Sequence, residues 1–169
     1  MAKRKIFVLS CLLLFLSAIM TGCSMTPRTV DNFITNYNNE IRNAMKNHFS
    51  SEKSADSAAR KCSLNGYTKS FNGVNATFTG YEEPKLTLVF QFAENLSADE
   101  VFGMIDAAIM AVGDDCEEVG KALGILYNAN NMNYYNVKGG YQKDITLNGK
   151  EYSIEWVGDS INFMIIILK

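Results

Sequence analysis

Four glycine-bearing dipeptides constrain this chain more than any other feature. Gly139-Gly140, Asn148-Gly149 and Gly158-Asp159 punctuate its last third, and Asn72-Gly73 sits in its first half. A two-residue turn that favours positive φ joins strands that must be antiparallel neighbours. The turns of the last third separate Met132 to Lys138, Tyr141 to Leu147, Lys150 to Val157 and Ile161 to Leu168, which predicts a meander of three or four strands. The last is apolar on both faces after Asn162, the pattern of a central or doubly covered strand. Around Asn72-Gly73, Tyr67 to Phe71 and Val74 to Tyr81 predict a hairpin. Leu86, Leu88, Phe90 and Phe92 alternate beyond Pro84 and give a third strand.

Elsewhere the apolar period is helical. Val30, Phe33, Ile34, Tyr37, Ile41, Ala44, Met45 and Phe49 predict an amphipathic helix over 30–48, with Thr29 or Asp31 as N-cap. Ser50 to Cys62, polar and serine-rich, reads as a loop or a second short helix. Ser97 and Glu100 form a capping box, followed by the stripe Val101, Ile105, Ala108, Ile109 and Val112, closed by Gly113. Asp114 and Asp115 open another helix carrying Val119, Ala122, Leu123 and Leu126, which the pattern ends near the asparagine cluster Asn128 to Asn133. The expected fold is α+β: an antiparallel sheet of six to seven strands packed by two to four helices. Its element order reads as a duplicated ααβ unit with halves 30–95 and 96–169.

The N-terminus has a separate grammar. Lys3, Arg4 and Lys5 precede an apolar run of 15 residues, Ile6 to Met20. That is the charged and apolar pattern of a secretory signal, and it falls short of the roughly 20 residues that cross a bilayer. The run ends in Met20-Thr21-Gly22-Cys23-Ser24. This stretch resembles the lipobox of bacterial lipoproteins, although Met20 and Thr21 stand where leucine and alanine or serine are usual. The resemblance implies cleavage between Gly22 and Cys23 by signal peptidase II, a diacylglycerol on the Cys23 sulfur, and acylation of the new amino group. Residues 1–22 are then the signal peptide, 23–29 the lipidated start and short tether, and 30–169 the domain. Ser24 implies the outer membrane in a diderm host, so the expected location is the cell membrane or outer membrane, facing the periplasm or cell surface.

The 147 residues after Gly22 carry 13 basic and 18 acidic side chains, a net charge of −5. An acidic domain gains nothing from anionic headgroups or nucleic acid, so the lipid rather than a basic patch supplies the membrane attachment. The element order resembles small lipoproteins and exported inhibitors built of helix-helix-sheet units, such as the beta-lactamase-inhibitor-protein-like fold. That likeness lies in order alone; no residue motif of the fold is present.

Of the four cysteines, Cys11 lies in the leader and Cys23 at the lipid site, which leaves Cys62 and Cys116. An exported compartment permits a disulfide between them, and two buried free thiols are the alternative. Asp114, Asp115, Glu117 and Glu118 lack the glycine-punctuated spacing of a calcium loop and read as helix capping. Gly158-Asp159-Ser160 resembles the nucleophile motif of GDS hydrolases, but no histidine follows it, and the only histidine, His48, lies far upstream. No metal, cofactor or catalytic residue is assigned. The asparagine- and tyrosine-rich stretch Asn130 to Tyr141 offers Tyr134, Tyr135 and Tyr141 as a partner-binding edge. The alternative is a surface hairpin with one tyrosine packed inward. The sequence therefore points to a lipoprotein that binds another envelope protein, in the manner of an inhibitor or exclusion factor, with an envelope hydrolase as the other class.

The lipid assignment makes a direct prediction. Cells expressing the chain and fed radiolabelled palmitate should yield a labelled protein, and Cys23→Ala should abolish both the label and membrane fractionation. Unlabelled protein, indifferent to Cys23→Ala, would sink the anchor.

Overall fold

The computed structural model describes residues 26–66, 76–93, 96–125, 140–158 and 160–168. Helix α1, Val30–His48, begins where Thr29 adopts extended backbone and its hydroxyl oxygen accepts the Asn32 N–H. Val30, Phe33, Tyr37, Ile41, Ala44, Met45 and His48 are its buried residues, at intervals of three and four that form one inward stripe. The serine-rich stretch that follows is a helix, α2, Glu52–Lys61, capped by Ser51, with Ala55, Ala58 and Ala59 turned inward.

Helix α3, Ala98–Ala111, carries the expected capping box: Ser97 Oγ accepts the Glu100 N–H while the Glu100 carboxylate accepts the Ser97 N–H. Ten of its fourteen residues are buried, so it is the core helix of the helical layer, and α1 is its main helical neighbour. Gly103 permits that approach, because a Cβ there would stand 2.5 Å from Met45 Sδ. Gly113, at φ +87°, takes the chain out of α3. Helix α4, Cys116–Leu123, ends at Gly124 in the left-handed conformation, before the asparagine cluster where the apolar pattern put its end.

The strands are β1 (Ala76–Tyr81), β2 (Thr87–Phe92), β3 (Tyr141–Leu147), β4 (Lys150–Val157) and β5 (Ser160–Ile167). They form one sheet in the order β1-β2-β5-β4-β3, and every neighbouring pair is antiparallel. Asn148 and Gly149 both take positive φ, as the Asn-Gly turn between β3 and β4 requires. The fold is thus α+β with four helices and five strands among the described residues, fewer than the six to seven expected. The other two predicted strands, Tyr67 to Phe71 and Met132 to Lys138, lie outside the described residues together with the Asn72-Gly73 turn.

Alternation along each strand separates two faces. Toward the helices point Phe78, Leu88, Phe90, Phe92, Tyr152, Ile154, Trp156, Ile161, Phe163 and Ile165, all buried. Aromatic rings stitch the layers: Phe33 stacks on Phe78 at 5.6 Å, Phe78 meets Phe90 at 5.1 Å, and Phe90 meets Phe163 at 6.1 Å. The residues between them, from Thr77 on β1 to Thr146 on β3, are exposed or half-exposed.

Candidate functional site

Two acid-base pairs lie inside the domain. Asp114, in the corner between α3 and α4, accepts from Lys150 Nζ at 2.9 Å with one carboxylate oxygen and from the Tyr152 hydroxyl with the other. Asn148 Nδ2 also reaches it, at 3.4 Å. The side chains of Asp114 and Lys150 are each only 4% exposed. Burial and the hydrogen bond to Asp114 raise the Tyr152 hydroxyl well above the ordinary tyrosine range, so it stays a donor. Its neighbour Asp115 is the helix cap, accepting the Glu117 and Glu118 N–H groups at 2.8 and 2.9 Å. The acidic run does cap a helix, through its second member only; Asp114 instead latches that corner to the β3–β4 hairpin.

The second pair joins α1 to α3: His48 Nε2 lies 2.7 Å from Asp106 Oδ2, and the imidazole is parallel to the Phe102 ring. With its side chain 3% exposed, His48 is core material. Ser160 stands exposed at the start of β5, just after the Gly158 turn. His48 is therefore committed to Asp106 in the helical layer and does not serve Ser160 as a base. Among the described residues no three His, Cys, Asp or Glu side chains gather as metal ligands.

The structure also corrects the cysteine expectation, since Cys62 and Cys116 are free thiols and not a disulfide. Cys62 is buried at the C-terminus of α2, where burial and then the Glu100 carboxylate push its thiol up to about 12. Cys116 starts α4, half-buried, and burial and then Asp106 push it up to about 11. Neither is the low-pKa thiolate that a nucleophile requires.

Tyr141 lies on the helix-covered face, half-buried, with its hydroxyl donating to the Leu123 carbonyl at 2.5 Å where α4 ends. It is the tyrosine packed inward. Tyr134 and Tyr135 fall outside the described residues.

The outer face of the sheet is open to solvent among the described residues, and three cross-strand rows define it. One runs Tyr81, Thr87, Ile166, Glu151, Thr146; the next Thr79, Val89, Met164, Ser153, Asp144; the third Thr77, Gln91, Asn162, Glu155, Gln142. Val89, Met164 and Ile166 form a half-exposed apolar patch across β2 and β5, and Tyr81 is 55% exposed beside it. A depression of about 540 Å³ opens next to Met164, walled by Asp144, Thr146, Glu151 and Ser153. A second cavity, of about 570 Å³, lies where residues 26–28 lead into α1, between Pro27, Leu86, Ile167 and Leu168 with Glu82 and Glu83 also lining it. Glu82 also accepts the Val30 N–H at the start of α1.

The sequence contains signals for the outer face, in the alternation of β3 and β4 and in the unbroken apolar run of β5, but none for the Asp114 latch. Comparison with family models, curated proteins and solved structures finds no match to this chain.

Two outcomes follow from these contacts. Asp114→Asn leaves the Lys150 ammonium buried without its counter-charge and should cost about 3–5 kcal/mol in urea unfolding, whereas Asp114→Asn with Lys150→Met should recover much of that loss. In the unreduced, denatured protein both Cys62 and Cys116 should be alkylated. In the folded protein Cys116 should react first, and because only the thiolate attacks, its rate should rise about tenfold per pH unit up to the region of its raised pKa.

Proposed function

We propose that this chain is an envelope lipoprotein, held in the cell membrane or outer membrane by lipid on Cys23, whose domain is a protein-binding module acting as an inhibitor or exclusion factor. The observation that carries the binding role is that, among the described residues, helices cover the sheet on one face only. The helical layer lies on the face bearing Phe78, Phe90 and Phe163, and the opposite face keeps Val89, Met164 and Ile166 half-exposed, with a carboxylate-walled depression beside Met164. An apolar patch with a polar rim is the anatomy of a surface that meets another protein.

Two facts support the anchored reading. The Cys23 stretch resembles a lipobox, and the domain follows it within a few residues. The order ααββ followed by ααβββ supports two related halves, 30–95 and 96–169, that pool their strands in one sheet.

The test is crosslinking in cells. A photoreactive phenylalanine analogue in place of Met164 should form an adduct with a discrete envelope protein, and the same analogue in place of the exposed Asn43 on α1 should not. Equal adducts from both positions, or none from 164, would overturn the assignment of the binding face.

A further inference from the structure

The outer face has one sign of charge. Across its three rows it carries Asp144, Glu151 and Glu155 and no lysine or arginine among the described residues. Glu155 accepts from Asn162 Nδ2, but Asp144 and Glu151 make no hydrogen bond or ion pair there. These two are diagonal neighbours, because Asp144 stands opposite Ser153 and Glu151 is two residues back along β4. Such a diagonal spans roughly 7 Å, room for one cation between the carboxylates. Both line the 540 Å³ depression together with Thr146, Ser153 and the apolar side chain of Met164. The site therefore offers two anionic walls and an apolar one.

We propose that this face docks a cationic protein segment. An arginine of the partner lies between Asp144 and Glu151 with its methylene stem on Met164, and an adjacent apolar side chain of the partner covers Val89 and Ile166. Arginine suits the site better than lysine, because its planar fork reaches two carboxylates at once while its stem covers apolar surface. A second copy of this chain presenting the same face would bring carboxylates against carboxylates, and an anionic lipid surface would do the same, so charge complementarity selects a basic protein partner. The inference rests on the assignment of the outer face as the binding surface.

The full chain in nonionic micelles can be titrated with a fluorescent peptide of alternating arginine and leucine, and with a twin bearing glutamate for arginine. The arginine peptide should bind, its twin should not, and binding should weaken as salt screens the contact. Asp144→Asn with Glu151→Gln should weaken binding about tenfold, whereas Glu117→Gln with Glu118→Gln, which removes the same charge from α4, should leave it unchanged. Equal weakening by both pairs, equal binding of both peptides, self-association through this face, or binding to phosphatidylglycerol vesicles in place of the peptide would each overturn the proposal. If the adduct from position 164 forms in cells yet is untouched by the Asp144 and Glu151 substitutions, the face binds a partner and the cationic partner is wrong. If no adduct forms, the surface assignment fails and the proposal with it.

Discussion

A sheet that, among the described residues, packs helices on one side only imposes a rule on every strand, because alternate residues face either the core or the exterior and a one-residue slip exchanges the two sets. In β4 the inward positions hold Tyr152, Ile154 and Trp156, and the outward ones hold Glu151, Ser153 and Glu155. In β2 they hold Leu88, Phe90 and Phe92 against Thr87, Val89 and Gln91. The rings of Phe33, Phe78, Phe90 and Phe163 are in mutual contact only in this register. The layout of helices, the aromatic core and the character of the outer face are therefore consequences of one choice.

The buried charges have a different part. An ion pair taken out of water recovers little more than its desolvation cost, so Asp114 with Lys150 is not where the net stability lies, and the His48–Asp106 hydrogen bond adds only a modest amount. Apolar burial supplies the net stability, through α3 and the inward strand positions. What the pairs contribute is position. Asp114 reaches one residue just past the β3–β4 turn and a second along β4, and His48 ties the last turn of α1 to the middle of α3. Each joins elements far apart in the chain at a fixed point, which nonspecific apolar contact does not do.

Local chemistry made much of this fold legible. Positive φ at Asn148 and Gly149, the Ser97–Glu100 box and the stripe of α1 depend on neighbours within a few residues, and each is found where the pattern put it. Tertiary approach decided the rest. Two adjacent aspartates before a helix both read as caps, and only the arrival of Lys150 and Tyr152 separates the cap from the latch. The spacing of Cys62 and Cys116 is silent about whether the fold brings their sulfurs together, and it does not. The apolar run of β5 marked a central strand correctly, but it did not distinguish a second covering layer from a half-exposed patch at Met164 and Ile166.

The place of β5 in the sheet also bears on how the molecule assembles. Among the described strands it is the last in sequence and the middle one in space, and it alone hydrogen-bonds to both β2 and β4. Until residues 160–167 have been synthesised, the β1–β2 and β3–β4 hairpins have no common strand, and their aromatic faces cannot close over one core. The long-range contacts that unite the two halves therefore come late, after the local helices and hairpins are available. Without this strand the sheet is two unconnected pairs of strands with half a core each, so the domain completes its fold only when β5 joins them.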